Sequence, residues 1–269
     1  MTIDGGALQA TSSFTSARTV TMGAGGGTID VAGAGTTLTL STALTANANS
    51  LTKTGTGTLA LTAASTRTGA TVINNGTLAA NVDSALGSTT KVTVNTGGTL
   101  LLGGAGTNKI GNATEVELAG GMFDTGGLTE TVGKLTLTSN STLDFGSGAS
   151  LLTFDGIGSS LGSSTLLILN WTGVIGAAGG TDRLLFGNSS FLAGTSSNLI
   201  VFNIGGSYYT ADFKTVDANT VEAVAGMSVV PEPSTIFAVS LLGSLIGWRE
   251  RGRIRGLTRL LMPCGQGEG

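Results

Sequence analysis

Residues 51–78 read LTKTGTGTLALTAASTRTGATVINNGTL, and this stretch predicts the fold. It contains Gly-Thr-Leu twice, at 57–59 and 76–78, and each copy lies in a run where apolar and polar residues alternate. Alternation with a period of two, rich in Thr, Val and Leu, is typical of half-buried β-strands. The Asn-Asn-Gly run at 74–76 supplies residue types that tolerate the positive φ of a tight corner. The stretch therefore predicts short strands joined by tight turns.

The same unit recurs along the first half of the chain. A further copy lies at 98–100, looser versions lie at 121–123 (Gly-Met-Phe) and 141–143 (Ser-Thr-Leu), and an earlier copy lies in residues 27–31. From residue 57 onward the steps between copies are 19, 22, 23 and 20 residues. A repeat near twenty residues with two or three short strands matches one coil of a parallel β-helix, in which stacking buries the inward side chains. We predict this all-β solenoid, with a β-sandwich or open sheet and a disordered chain as alternatives.

The composition narrows these alternatives. The chain of 269 residues has 45 Gly and 3 Pro, 11% charged and 40% hydrophobic residues, and a mean hydropathy of +0.33. Glycine at this level without a Gly-X-Y period excludes collagen. Disorder is typical of chains with low hydrophobicity and high charge, which this chain lacks. Many short strands broken by many turns fit the composition best.

Two residue types that carry much of enzyme chemistry are scarce. Histidine is absent, and Cys264 is the single cysteine. Without histidine there is no Ser-His-Asp triad and no imidazole ligand for a metal. One cysteine forms no disulfide within the chain and no cysteine-rich metal site. We therefore expect no enzymatic activity, no cofactor and no metal.

The charge is distributed unevenly along the chain. Residues 1–233 contain 14 acidic and 8 basic residues, whereas residues 234–269 contain 2 acidic and 5 basic residues. The body is thus net negative and repels the phosphates of nucleic acid, so we expect no nucleic-acid partner.

Residues 145–228 are less regular and richer in aromatic residues. Apolar runs at 166–171 and 199–204 predict fully buried strands. The aromatic residues in this part are Phe145, Phe154, Trp171, Phe186, Phe191, Phe202, Tyr208, Tyr209 and Phe213. Because they lie in strand-like runs, we expect most of them to pack in the core at the wider end of the solenoid. A carbohydrate-stacking surface is the alternative.

A few residues match catalytic patterns. Gly158-Ser159-Ser160-Leu161-Gly162 has the spacing of a nucleophile elbow, but Ser160 lacks a histidine base. Asp124, Asp144 and Asp155 could line one face, as in β-helical enzymes that act on polysaccharides. These acids are scattered through turn-like positions, so we interpret them as solvated.

The end of the chain has a different character. Residues 234–248 carry no charge and are apolar, and an arginine-rich flank follows directly. An apolar stretch before clustered Arg indicates a transmembrane helix with its basic end in the cytoplasm. A buried core helix is the alternative. Residues 1–6 show neither the basic nor the apolar region of a signal peptide, so we expect the chain as given to be truncated.

Residues 50–62 and 68–78 closely resemble the autotransporter-associated β-strand repeat. Ala63, Ser65 and Arg67 replace the Gly, Asn and Tyr that this repeat usually has, so we expect an altered turn there. The resemblance implies a right-handed parallel β-helix of the kind found in exported passenger domains. It implies no specific ligand.

The tail resembles a PEP-CTERM sorting signal, which combines a Pro-Glu-Pro motif, an apolar span and an arginine cluster. The matching residues are Pro231, Glu232 and Pro233, then residues 234–248, then Arg249, Arg251 and Arg253. The resemblance implies export, recognition by an exosortase and removal of the tail near the motif. Two prolines keep this motif extended and outside a helix, while Glu232 resists entry into lipid.

Together these observations predict four segments. A β-helix with strand repeats spans 1–144, its β-rich carboxyl-terminal part spans 145–228, the sorting signal spans 229–255, and an unstructured tail spans 256–269. We expect a structural or adhesin-like bacterial protein. It is exported, anchored transiently in the inner membrane, and then placed at the cell surface or in the matrix. Its partners are the exosortase, the membrane and exopolysaccharide. A polysaccharide lyase or glycosidase on the same fold is the alternative.

Overall fold

A computed structural model describes residues 1–158, 163–187 and 199–230. In these residues regular structure consists of β-strands and turns, without an α-helix. None of them forms a helix of the length and apolarity that crossing a membrane requires. The predicted transmembrane helix at 234–248 lies outside the described residues.

Twenty-two strands follow one another in these ranges. The first eight are β1 (Thr2–Ile3), β2 (Ala7–Ala10), β3 (Phe14–Ser16), β4 (Thr21–Met22), β5 (Gly27–Val31), β6 (Thr37–Leu40), β7 (Leu51–Thr54) and β8 (Thr58–Leu61). The next eight are β9 (Thr71–Ile73), β10 (Gly76–Ala80), β11 (Lys91–Asn95), β12 (Gly98–Leu102), β13 (Glu115–Ala119), β14 (Met122–Asp124), β15 (Glu130–Ser139) and β16 (Ser141–Asp144). The last six are β17 (Leu151–Ile157), β18 (Leu166–Leu169), β19 (Arg183–Gly187), β20 (Ile200–Ile204), β21 (Ser207–Thr215) and β22 (Thr220–Val230).

The strands stack into two long parallel ladders. The first ladder runs β2, β5, β7, β9, β11, β13, β15 and β17, and it ends at Ile157. The second ladder runs β3, β6, β8, β10, β12, β14, β16, β18 and β20. Up to β17 each coil contributes one strand to each ladder, so the described chain is an all-β solenoid of the right-handed type. The predicted parallel β-helix is confirmed, and the predicted sandwich, open sheet and disorder are excluded for these residues.

The register of the second ladder confirms most of the predicted repeat. Thr58, Thr77 and Thr99 are direct neighbours in it, and Met122 and Thr142 continue the same row. The prediction that residues 27–31 are an early copy of this unit is wrong, because β5 pairs with β2 and β7 in the first ladder. Strands of both ladders carry a Thr followed by an apolar residue, so the local pattern does not distinguish them.

Inward side chains of the second ladder form a continuous buried column. Leu38, Leu59, Leu78, Leu100 and Phe123 follow one another in register and are fully buried. The alternate positions point outward, because successive side chains of a strand face opposite sides. Burying an aliphatic side chain of this size contributes about 1.5–3 kcal/mol before entropy is counted. The column therefore stabilises the stacking of one coil on the next.

Gly76 marks a corner where this stacking leaves no room for a side chain. Its φ is +66°, and a Cβ there would collide with the carbonyl oxygens of Gly55 and Gly57 in the preceding coil. The predicted positive φ at this Asn-Asn-Gly corner is therefore confirmed, and close approach of the coils adds a second reason for glycine.

The third side of each coil is less regular up to residue 114. It contains the short parallel pair β1–β4 and isolated parallel bridges between Val20 and Leu44 and between Leu86 and Ile110. From β15 onward this side also forms strands, because Glu130 pairs with Leu152 and Leu152 with Leu184. In the first coils, the backbone groups of the third side are thus not paired by a continuous ladder of strands.

The last coils are filled by aromatic rings and covered by antiparallel strands. Phe154 stacks on Phe186 with ring centroids 5.6 Å apart, and Trp171 packs at 4.9 Å from Phe202. β21 pairs antiparallel with β20, and β22 pairs antiparallel with β19, so both turn back across the end of a ladder. Five of the predicted core aromatics are buried, namely Phe145, Phe154, Trp171, Phe186 and Phe202. Tyr208, Tyr209 and Phe213 are half-buried, and Phe191 lies outside the described residues.

The prediction that the apolar runs in this part are fully buried is wrong at the outward positions. In β18, Leu166 and Ile168 are buried, whereas Leu167 and Leu169 are half-buried. In β20, Asn203 and Ile204 are half-buried as well. The wall of a solenoid is one strand thick, so each strand keeps one face outside the core even where its sequence is continuously apolar.

Candidate functional site

The predicted sorting residues lie outside the described residues. These are Pro231, Glu232 and Pro233 of the motif and Arg249, Arg251 and Arg253 of the basic cluster. Ser160, in the elbow-like pattern, also lies outside them. Their roles stay predictions.

Two of the three acids that the sequence analysis interpreted as scattered lie side by side. Asp124 of β14 and Asp144 of β16 are direct partners in the second ladder and point outward. Each Oδ1 accepts a hydrogen bond at 2.8 Å from a backbone N–H two residues on, at Gly126 and Gly146. Asn170 also donates from Nδ2 to Asp144 Oδ1 at 2.7 Å. The interpretation as scattered acids is therefore wrong for this pair, because the repeat brings equivalent positions of two coils together.

The surroundings of the pair raise the pKa of Asp124 above its ordinary value. Partial burial raises it, the hydrogen bond from Gly126 lowers it, and the charge of Asp144 raises it again. Neighbouring strands lie about 4.7–4.9 Å apart, and the carboxyl groups of retaining glycosidases lie about 5–5.5 Å apart. Two outward carboxyl groups on neighbouring strands are therefore close enough to act as a catalytic pair. Asp155 lies on β17 in the other ladder and does not join them.

A shallow depression adjoins Asp144 on the side of the later coils. It has a volume of about 380 Å³ and is lined by Gly146, Leu169, Asn170, Trp171, Thr172, Asn203, Ile204 and Gly205. Asn170 has a φ of +54°, a conformation that few residues other than glycine adopt. Trp171 is 4% exposed, so its ring packs in the core and does not offer a stacking face. The predicted core role of Trp171 is confirmed.

A row of charges crosses the outer face of the first ladder. Lys91 Nζ lies 2.5 Å from Glu117 Oε2 and 3.4 Å from Glu115 Oε1, and Glu115 is its direct partner in the ladder. Thr136 donates a hydrogen bond to Glu115 Oε1 at 2.8 Å. The two glutamates raise the pKa of Lys91. Each carboxylate is thus engaged by a cation, which suits cross-strand pairing on an exposed face.

Lys53 is a buried cation inside the first ladder. It lies between Ile29 and Ile73 in register and is fully buried. Its Nζ donates to the carbonyl oxygens of Thr54 at 2.6 Å, Gly55 at 2.8 Å and Asn75 at 3.2 Å. Burial lowers the pKa of Lys53 to about 8, against the charge of Asp30, which raises it. The side chain therefore ties two successive corners together.

Arg67 has a similar role on the third side. Its Nη1 donates to the carbonyl oxygens of Asn49 at 2.8 Å, Gly69 at 2.7 Å and Ala70 at 3.1 Å, and its Nη2 donates to the Thr71 hydroxyl. The side chain is 1% exposed, and burial lowers its pKa to about 10. The turn in which Arg67 replaces a tyrosine is thus held by a guanidinium that binds backbone oxygens.

A third buried cation is paired with acids. Lys109 Nζ lies 2.9 Å from Asp83 Oδ1 and also donates to the carbonyl of Ala105. The backbone N–H of Lys109 donates to Glu130 Oε2 at 2.7 Å. Glu130 is fully buried, and Oε1 has no partner among the described residues. Burial raises the pKa of Glu130 to about 7, although hydrogen bonds from backbone N–H groups and the charge of Lys109 lower it.

Two buried acids hold the antiparallel end of the body in place. Glu222 of β22 accepts hydrogen bonds from Arg183 Nε at 3.0 Å and Nη2 at 2.8 Å, and from the backbone N–H of Gly179. Asp182 accepts from the backbone N–H groups of Ser150 and Thr172, each at 2.8 Å. These contacts join β22, and the loop between β18 and β19, to the last coils.

Sequence reasoning missed these buried charges. Arg67 and Lys109 are each a single charge in a stretch of small residues, a pattern that is equally typical of a solvated turn. The described residues contain no group of three or more His, Cys, Asp or Glu side chains arranged to hold a metal ion.

A comparison with models of known protein families identifies one segment of this fold. Residues 51–80, which span β7 to β10, match the family model described as Passenger-associated-transport-repeat. The predicted resemblance to the autotransporter-associated strand repeat is therefore confirmed for this segment. Neither a curated protein nor a solved structure matches the chain.

Proposed function

We propose that this chain is an exported structural protein of a bacterial cell surface or extracellular matrix. The observation that carries the proposal is the pair of long parallel ladders, with a passenger-associated transport repeat within them. Repeats of this family are associated with exported surface proteins. A solenoid of stacked coils is an extended scaffold whose surface is repeated from coil to coil.

The outer face of the second ladder suits such a role. Thr37, Thr58, Thr77 and Thr99 form a row of hydroxyl groups, one from each successive coil. Threonine favours strands and keeps the exposed face solvated. Because the ladder pairs the backbone groups, few peptide bonds are presented in the extended, unpaired form that proteases bind. This row offers hydroxyl groups to an exopolysaccharide or to O-linked glycans.

The proposal assigns sorting to the tail. Pro231, Glu232 and Pro233 form the recognition motif for a membrane-bound exosortase, residues 234–248 enter the inner membrane, and Arg249, Arg251 and Arg253 stay on the cytoplasmic side. Processing near the motif then releases the body. The sequence of these residues supports this part of the proposal.

Localisation in a host that makes an exosortase tests the sorting step. A variant with Pro231→Ala, Glu232→Gln and Pro233→Ala should accumulate in the inner membrane with its tail intact, as judged by fractionation and by mass spectrometry of the carboxyl terminus. Arg18→Gln, an exposed change in the body, is the matched control and should sort normally. If the motif variant reaches the surface as efficiently as the control, exosortase sorting is overturned.

The pair of Asp124 and Asp144 supports a second candidate, an enzyme that hydrolyses a polysaccharide. The raised pKa of Asp124 suits a general acid, and Asp144, its direct partner on the neighbouring strand, is placed for the nucleophile role. The shallow depression beside Asp144 would hold the sugar next to the cleaved bond.

Incubation with exopolysaccharide separates the two candidates. The structural role predicts no new reducing ends with the natural chain. Release of reducing ends that is lost in Asp124→Asn and in Asp144→Asn, but kept in the control Asp155→Asn, would overturn the non-enzymatic role.

A further inference from the structure

Four large apolar side chains lie exposed together at one end of the body. Val174 is 53% exposed, Ile175 40%, Met227 84% and Val229 60%. The backbone N–H of Gly176 donates to the carbonyl of Ala225 at 2.8 Å, which places residues 174–176 beside β22. A Cβ on Gly176 would lie 3.2 Å from Met227 Cε, so the methionine covers this glycine. We call these four residues the terminal patch.

The terminal patch breaks the burial pattern of its own strand. Residues 221–226 of β22 are buried, and exposure begins at Met227. Met227 and Val229 lie on one face of the strand, because alternate side chains point the same way. Single exposed apolar residues are ordinary on protein surfaces, but a contiguous group next to a strand end indicates a binding surface.

The position of the patch in the chain indicates what binds there. β22 ends at Val230, and four residue steps lead from it to Ser234, the first residue of the predicted span. A fully extended chain covers at most about 14 Å in four steps. The interfacial layer of each leaflet is about 5–8 Å thick. Once residues 234–248 are inserted, the terminal patch is therefore held close to the lipid headgroups.

We propose that the terminal patch is a docking surface for the lipid bilayer, which it contacts while the tail is still attached. This inference rests on the proposed membrane insertion of residues 234–248. It adds that the body is oriented with the terminal patch against the membrane surface. Apolar side chains at a membrane interface contribute individually, so four suffice for a tethered body. Docking holds Pro231, Glu232 and Pro233 at the membrane surface, where a membrane-bound protease reaches them.

A lipid surface fits the patch better than a second copy of the chain. A stable protein interface takes about 20–30 residues from each partner, far more than this patch supplies. Residues 1–233 carry 14 acidic and 8 basic residues, so charge does not draw the body to anionic lipids. The contact is therefore apolar, and it forms on uncharged phosphatidylcholine.

Fluorescence quenching on the full chain tests the docking. In a Cys264→Ser background, a fluorophore is attached at Ile175→Cys within the patch or at Val216→Cys as the matched control. Val216 is 43% exposed and lies in the turn before β22, where its N–H donates to the carbonyl of Thr220 at 2.9 Å. Thr220 is separated from Val229 by nine residue steps of the strand, about 30 Å at 3.3 Å per residue. Phosphatidylcholine vesicles carry a lipid-borne nitroxide quencher, and vesicle flotation reports insertion of the tail.

Docking predicts severalfold stronger quenching at position 175 than at position 216. Adding Met227→Ser and Val229→Ser should reduce quenching at 175 to the level of the control, while flotation stays unchanged. If the chain floats but both labels are quenched equally, docking is overturned and insertion stands. If the chain does not float, the proposed insertion fails and docking with it. The label at position 175 could also be shielded in the absence of vesicles because the chain forms an oligomer. That result would overturn docking to lipid and would show that the patch binds a second copy of the chain.

Discussion

The second ladder and the third side of the first coils enclose the same interior with opposite chemistry. In the ladder, the inward column from Leu38 to Phe123 is apolar and fully buried. On the third side, the inward positions include Arg67, Lys109 and Glu130, which are just as buried. The difference follows the backbone. Where strands stack in register, the backbone groups of one coil are paired by the next. Where they do not, buried side chains pair them: Arg67 and Lys109 donate to carbonyl oxygens, and Glu130 accepts from the N–H of Lys109.

This comparison explains why charged residues lie in the interior of a chain that has few of them. Arg67 binds the carbonyl oxygens of Asn49, Gly69 and Ala70, none of which lies in a strand. An unpaired buried carbonyl costs about 1–3 kcal/mol, and two of these oxygens, those of Asn49 and Gly69, are bound by Arg67. The irregular side is thus stabilised by a few specific side chains, whereas the second ladder is stabilised by a column of similar apolar ones.

Truncating the apolar column should have the largest effect. Phe123→Ala removes a fully buried ring from the second ladder and should lower the free energy of unfolding by about 3–5 kcal/mol. Met122→Ala is the matched control, since Met122 is the preceding residue and points outward. Chemical denaturation measures both. Equal losses for the two variants would contradict the assignment of inward and outward faces.

Neutralising Glu130 should stabilise the protein in a pH-dependent way. The pKa of Glu130 is raised from 4.5 to about 7 on folding, so the folded state binds more protons in this interval. Stability from this group is therefore full below pH 4.5 and is lost as the pH rises through about 7. A shift of this size corresponds to roughly 3 kcal/mol at most.

The Glu130→Gln variant tests the direction of this pH dependence. The amide keeps an acceptor for the Lys109 N–H and carries no charge. The variant should match the natural chain at pH 4 and exceed it in the free energy of unfolding at pH 8. Glu115→Gln, at a partly exposed carboxylate, is the control. A Glu130→Gln variant that loses stability at pH 8 would show that the charged form is the one favoured by the fold.

Removing the guanidinium on the third side should have a smaller effect of the opposite sign. Arg67→Met removes the side-chain donor from the carbonyl oxygens of Asn49 and Gly69, whereas that of Ala70 keeps the N–H of Leu51. Relief from burying a charge offsets part of that loss. We expect a net destabilisation of roughly 1–3 kcal/mol. Hydrogen exchange should rise at residues 67–71 and leave the second ladder unchanged. Arg18→Met, at an exposed arginine, should change neither stability nor exchange.

The outer row of hydroxyl groups should contribute least. Thr77→Val keeps a branched side chain on a half-buried outward position and should change the free energy of unfolding by less than about 0.5 kcal/mol. The matched inward change, Leu78→Thr, places a hydroxyl in the buried column and should cost far more. Thermal unfolding of the two variants compares the faces of one strand directly.

The sequence was sufficient to predict the second ladder, but it was not sufficient to predict the structure of the third side. Gly-Thr-Leu copies and their looser versions, 19–23 residues apart, predicted which residues stack, from Thr58 to Thr142. The same spacing also contained the pairing of Asp124 with Asp144, since each follows the apolar residue of its copy. Composition around these acids led to the opposite interpretation, because Gly and Ser neighbours are equally typical of turns.

The other features of the fold and of the candidate site could not be predicted from local sequence patterns. Residues 27–31 have the motif of one ladder and lie in the other, since both walls of a coil impose the same alternation. Arg67, Lys109 and Glu130 lie in stretches without periodicity, so nothing local distinguishes an inward charge from a solvated one. Their burial depends on carbonyl oxygens from other coils, which sequence spacing does not reveal.

The central claim, that successive coils stack rung by rung, is tested most directly by distances along the row of Thr58, Thr99 and Thr142. Spin labels are introduced as cysteine pairs in a Cys264→Ser background and measured by electron paramagnetic resonance. At 4.7–4.9 Å per rung, backbone separations of about 10 Å for Thr58 to Thr99 and about 19 Å for Thr58 to Thr142 are expected. A distance that doubles with the number of rungs supports the account. A separation from Thr58 to Thr142 equal to or shorter than that from Thr58 to Thr99 would contradict it.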